Sequence, residues 1–263
     1  MNDKTAETLI DEAQQLVIDE RKAIADKLAA LDRFAKGVTK ISTETHPSPT
    51  GSAVAGNFLN SSPMSVSNDD RIRRVRSLFA ETVQPHSIAD IGRSEPLLVT
   101  IQEEFNEEIA LALSPSTNHQ FTPQLQRAIC SATERCKSDL RVMDKGLAIE
   151  EDDLEYVAEL RKSLPDKLSA APDASEIHST TLVNQYEKIE HCKRQCEQLT
   201  IDRQSTVHAT INHSPEGNLS HSFLLDYIYQ SLDVDYPVLS ATIQLINHCE
   251  THQQTICERL IDN

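Results

Sequence analysis

Between about Lys4 and Thr43, Ile10, Val17, Ile24, Leu31 and Val38 recur at seven-residue intervals, and Leu9, Ala13, Leu16, Leu28, Phe34 and Ile41 widen the stripe. That spacing predicts one long coiled-coil helix over residues 1–45, because a seven-residue period keeps a single apolar face against a partner helix. At ~1.5 Å per residue it would run roughly 60 Å, the length of a stalk. The pattern then stops. Residues 46–68 hold Pro47, Pro49, Pro63, Gly51, Gly56 and six serines, a composition that reads as a flexible linker.

Apolar periodicity resumes in a small helical element at 69–115. Asp69 and Asp70 place negative charge at the start of a helix carrying Ile72, Val75, Leu78, Phe79 and Val83, and Pro85 ends it. Ser94, Glu95 and Pro96 open a second, with Leu97, Leu98, Ile101, Phe105, Ile109 and Leu113 on one side. Thr122-Pro123 then starts a long helix whose seam is Ile129, Cys136, Leu140, Met143, Leu147, Leu154, Val157 and Leu164, with Pro165 as its stop and Gly146 as a point of weakness. A further helix runs to about Ile211 on Leu182, Tyr186, Ile189, Cys196, Leu199 and Val207. His213 to Asn218 reads as a turn, and Leu219 to Leu232 as a short apolar helix. The last helix starts at Asp235-Tyr236-Pro237, and Val238, Thr242, Leu245, Cys249, His252, Ile256 and Leu260 alternate at spacings of four and three. No stretch carries a β-hairpin signal. Long helices joined by short breaks pack antiparallel, so the expected fold is all-α. Its architecture would be an elongated antiparallel helical bundle or coiled coil over 122–263, with a small helical head.

Composition narrows the functions available. With 38 % hydrophobic residues, 4 % aromatics, 6 glycines and no tryptophan, the chain is poor material for a sheet-based enzyme. Its 25 Lys and Arg against 41 Asp and Glu leave a net charge of −16, which repels phosphate backbones and anionic headgroups. Arg71, Arg73, Arg74 and Arg76 are the one basic concentration, and Asp69, Asp70 and Glu81 surround them. Neither nucleic acid nor membrane is therefore an expected partner. The start of the chain has no apolar signal segment, no stretch is long enough to cross a bilayer, and a cytoplasmic protein is expected. Its six cysteines are then expected to be reduced. The acidity also suits a cytoplasm with molar salt, where carboxylates keep the surface hydrated and ions screen their repulsion.

Two groups of side chains carry candidate chemistry. His191, Cys192 and Cys196 on one helix, with His248, Cys249, His252 and Cys257 on the last, include pairs four residues apart that share a helix face. His191, Cys192, Cys196, Cys249 and His252 are thus candidate ligands for zinc or another soft metal. The competing reading makes Cys196 and Cys249 small hydrophobes in the seam and turns His191 and His248 outward. Phe223, Tyr227, Tyr229 and Tyr236 are four of the eleven Phe and Tyr residues, and form a candidate partner-binding patch or a plug closing the bundle. The acidic runs Glu103, Glu104, Glu107, Glu108 and Asp152-Asp153 read as solvent-facing. No phosphate loop, dinucleotide glycine pattern, nucleophile elbow or metalloprotease motif is present, and no cofactor is expected.

The segment Asp226-Tyr227-Ile228-Tyr229-Gln230-Ser231-Leu232-Asp233-Val234-Asp235-Tyr236-Pro237-Val238-Leu239 resembles an uncharacterised family of helical, coiled-coil-rich proteins of halophilic archaea, a domain of unknown function. The long first helix, the Pro/Ser/Gly linker and the acidic helix Leu98 to Phe105 are similar in layout. The resemblance implies a habitat and an arrangement of helices, but no activity and no site residues. Together these readings lead to a non-enzymatic interaction or scaffold module that binds a protein partner or a second copy of itself. The alternative is a metal- or redox-responsive protein using the Cys and His positions on the last two long helices.

Overall fold

The structure is a computed structural model, and it describes residues 6–43, 68–87, 95–117, 119–168, 179–207, 210–214 and 217–261. Among these the protein is all-α apart from one short hairpin. Its helices are α1 (Ala6–Thr39), α2 (Asn68–Thr82), α3 (Gln84–Ser87), α4 (Leu97–Glu104), α5 (Glu107–Ala112), α6 (Pro123–Leu168), α7 (Ser179–Val207), α8 (His221–Ile228) and α9 (Pro237–Ile261). None of them is long and apolar enough to cross a membrane. The chain divides into two units. One comprises Met1–Lys22 and Val142–Asn263, the other Ala23–Arg141. These boundaries fall inside α1 and α6, not at the changes of composition near residues 45, 68 and 115. The expected linker at 46–68 lies outside the described residues except for Asn68, which opens α2.

In the unit Ala23–Arg141 the stripes of α1, α2, α4, α5 and α6 converge on one core. Phe34, Phe79 and Phe105 form its centre, with ring centroids 5.5–5.7 Å apart in edge-on and stacked contacts. Leu31, Val38, Ile72, Val75, Ile101 and Ile129 surround them. Gln126 donates hydrogen bonds to the carbonyls of Val38 and Ile41, tying the end of α1 to the start of α6. The expected single helix from Leu97 to Leu113 is two. Asn106 interrupts it because its side chain accepts the Ile109 N–H at 2.8 Å, capping α5 and ending α4 at Phe105. Pro85 likewise does not end the helical run but lies in the first turn of α3, where a missing N–H costs nothing.

In the other unit α7 packs along α9. Lys193 pairs with Glu250 at 2.7 Å and Gln253 donates to Glu190 at 2.7 Å, so the two helices run antiparallel. Leu182, Ile189, Cys192, Cys196 and Leu199 face Val238, Leu245, Cys249 and Ile256 in the buried seam. Leu9, Ile10, Ala13 and Val17 of α1 and Leu147, Leu154 and Val157 of α6 are buried in the same unit. Arg21 pairs with Asp144 at 2.9 Å and also with Glu151. α6 continues through buried Gly146 and past Pro165 to Leu168, because near a helix end the single hydrogen bond a proline removes is not decisive.

The turn expected at His213 to Asn218 is part of an antiparallel hairpin, β1 (Thr210–Ser214) with β2 (Gly217–Ser220), and α7 ends at Val207 to make room for it. The segments TINHS and GNLS are polar nearly throughout, so no alternation announced the strands. The helix that follows is accordingly shorter than Leu219 to Leu232. It starts at His221, where the Ser220 hydroxyl accepts the Phe223 N–H at 3.2 Å.

Candidate functional site

Three helices of the unit Met1–Lys22 with Val142–Asn263 deliver polar side chains into its core. On α6, Glu150 occupies the stripe Leu147, Leu154, Val157 and is fully buried. On α7, Arg203 follows Cys196 and Leu199 and precedes Val207 on the buried face, with 1 % exposure. Both stand where helical spacing reserves a place for an apolar residue. His221, the first residue of α8, and Tyr229, just after its last, are each 1 % exposed.

These side chains satisfy one another. Arg203 Nη2 forms an ion pair with Glu150 Oε2, and Arg203 Nη1 donates to Asp153 Oδ2 at 2.9 Å. The Tyr229 hydroxyl donates to Glu150 Oε1 at 2.6 Å. His221 Nε2 lies 3.2 Å from Arg203 Nη1 and 3.5 Å from Glu150 Oε2. Arg203 Nε is the one guanidinium donor of the cluster with no hydrogen-bond partner.

The electrostatics follow from these contacts. Burial alone would push the Glu150 carboxyl up, but the His221 hydrogen bond, the Arg203 charge and the Tyr229 hydroxyl outweigh it and hold the carboxyl below its ordinary value. Asp153 goes the other way. Burial raises it, and Arg203 offsets that only in part because Glu150 repels a second negative charge. Burial and the adjacent Glu150 charge raise the Tyr229 phenol, which keeps its proton and so remains a donor. The arrangement is chemically a lock: α6, α7 and both ends of α8 are tied together by charge-assisted hydrogen bonds.

The candidates read from sequence are distributed differently. Tyr229 is corrected from a partner-binding residue to a core donor, since its ring is buried and its hydroxyl is engaged. Phe223, by contrast, is 64 % exposed. Tyr227 and Tyr236 are half-buried, with the Tyr227 hydroxyl 3.5 Å from Glu20. Asp153, expected to face solvent, is corrected to a partner of Arg203, while Asp152 is exposed. Glu104, another of the carboxylates expected in solvent, is half-buried against Lys27 at 2.6 Å. Arg76, from the basic run, donates to the Leu113 carbonyl at 2.7 Å and so holds α2 to the end of α5.

Of the metal candidates, Cys192, Cys196 and Cys249 are buried in the α7–α9 seam, and all six cysteines are thiols. His191 is exposed, and half-buried His252 stacks at 4.7 Å on His248 of its own helix. Burial and the neighbouring His248 lower the His252 pKa. Among the described residues no three His, Cys, Asp or Glu side chains are placed to hold a metal ion.

Glu150, Arg203 and His221 had no place among the sequence candidates. A signal existed, however: the apolar seam skips from Leu147 to Leu154 and from Leu199 to Val207, and at each skip a charged residue stands in register.

An all-α protein with a buried ionic lock is the class that fold and cluster define. The chain belongs to the family described as domain of unknown function DUF7260, whose model matches residues 8–253. No curated protein and no solved structure matches it.

Proposed function

We propose that the protein is a non-enzymatic interaction module in which α8 presents Phe223 to a protein partner or to a second copy of the chain. The observation that carries the reading is the contrast along α8: Leu224, Leu225 and Ile228 are buried, whereas the adjacent Phe223 is 64 % exposed. Single exposed apolar residues are common on protein surfaces. This one differs in its mounting, because Ser220 caps the helix and His221 and Tyr229 anchor its two ends in the ionic lock. An aromatic held on a rigid element loses little freedom on docking, which is the property of an interface anchor. The net charge of −16 supports work in a salt-rich cytoplasm, as in halophilic archaea, where the short screening length lets apolar contacts dominate association.

The test is a photoreactive amino acid at position 223, compared in intact cells with the same group at exposed Gln244 of α9. The expected result is a discrete covalent adduct from position 223 only, whose mass tells a second copy from another protein. Equal labelling from both positions would defeat the reading.

A further inference from the structure

His248 and His252 stand one turn apart on α9, with ring centroids 4.7 Å apart and planes tilted by 41°. His248 is exposed and His252 half-buried, so the pair opens to solvent on the flank of the helix beside the seam residues Cys249 and Ile256. The helix repeat supplies this juxtaposition, because residues four apart share a face. In a metal chelate each ring nitrogen stands ~2.0–2.1 Å from the ion, and the ring centre about 1.1 Å farther out. Two such rings, with bonds to the ion meeting between a right angle and the tetrahedral angle, have centres roughly 4.5–5.2 Å apart. The observed separation falls inside that window.

The setting suits one class of ion. Imidazole is a ligand of zinc, nickel and copper, whereas magnesium and calcium take oxygen. Coordination uses the lone pair of a neutral ring, and burial together with the neighbouring His248 lowers the His252 pKa, which widens the range over which that ring is neutral. The net charge of −16 draws cations toward the surface. Among the described residues no group of three His, Cys, Asp or Glu is placed to hold an ion, so the pair supplies two ligands and water fills the remaining positions.

We propose that His248 and His252 are a two-imidazole chelating site for a divalent ion of the zinc, nickel and copper class, which clips the turn of α9 between them. That turn carries Glu250, the partner of Lys193, and Gln253, the donor to Glu190, follows directly after it. A bound ion therefore holds the α9 side of both contacts with α7 in helical register. The site is independent of the docking reading, since neither histidine lies on α8.

The test strips the full chain with a chelator and titrates it with Ni2+ by calorimetry. The tightest binding is expected at one ion per chain. His248→Asn and His252→Asn should each weaken it by roughly a hundredfold, because the second imidazole binds intramolecularly. His191→Asn removes an exposed histidine of α7 and should leave the affinity unchanged. With free Ni2+ at about ten times its Kd, amide exchange of residues 248–252 should slow about tenfold in the wild type and in neither α9 variant. Wild-type affinity retained in either α9 variant, affinity lost in His191→Asn, or one ion shared by two chains overturns the site. Unchanged exchange in the ion-loaded wild type overturns the clip without recourse to any variant.

Discussion

Glu150 and Arg203 occupy core positions, and a buried ion pair contributes through what its loss would leave behind more than through its own attraction. Glu150→Gln leaves the Arg203 guanidinium in the interior without its fully buried counter-charge, and is expected to lower unfolding stability by about 3–5 kcal/mol in urea titrations. Asp153→Asn should cost less than about 1 kcal/mol, because the amide oxygen still accepts from Arg203 and an ionised carboxylate disfavoured by burial is removed. Equal losses in the two variants would contradict the assignment. The pH dependence has opposite signs at the two carboxyls. Glu150, held below its ordinary value, contributes stability that is complete above 4.5 and disappears as pH falls through the lower folded value. Asp153, raised, is a cost above its ordinary 3.8 that acid relieves. Acid unfolding followed by circular dichroism should therefore be less steep in Glu150→Gln than in wild type. From sequence these residues were hidden, since a charge between apolar seam positions is normally assigned to the solvated face. Only the tertiary pairing of a Glu on α6 with an Arg on α7 makes burial tolerable.

Helices with sustained apolar spacing were legible from sequence to within a few residues, because α1, α7 and α9 are specified by their own periodicity. The elements misread were those decided by one residue against the pattern. Asn106 splits a continuous stripe through a single side-chain hydrogen bond, and Pro165 fails to stop a helix already sustained on its N-terminal side. Another local decision is Gly37 of α1, where a larger residue would crowd the Leu78 side chain of α2. A Cβ there would overlap Leu78 Cδ2 and lie 3.0 Å from Cδ1 and 3.1 Å from Cγ. Alanine is the better helix former by about 1 kcal/mol, but overpacking costs about 1–3 kcal/mol, so Gly37→Ala is expected to destabilise by roughly 1 kcal/mol. In a Leu78→Ala background the same substitution should reverse sign and stabilise by about 1 kcal/mol. A double-mutant cycle in urea measures the reversal, and additive effects would show that the two side chains do not compete.

For the molecule as a whole, the net charge of −16 is a self-repulsion that the folded chain carries at neutral pH. Raising NaCl from about 0.1 M to 1 M shortens the screening length from ~10 Å to ~3 Å, and calorimetry should find Tm rising by roughly 5 °C. A flat or falling Tm would mean that surface repulsion is not limiting. The division into units was not legible, because their boundary lies inside α1 and α6, where the apolar pattern runs on unbroken. It also imposes a timetable on biosynthesis. Leu9, Ile10, Val17 and Arg21 are made before the partners they need, which lie from Asp144 onward and are separated from them by the whole of Ala23–Arg141. At about 5–20 residues per second the ribosome takes several seconds to bridge that interval. During it the nascent chain must shelter an apolar helical stripe whose permanent neighbours have not yet been translated.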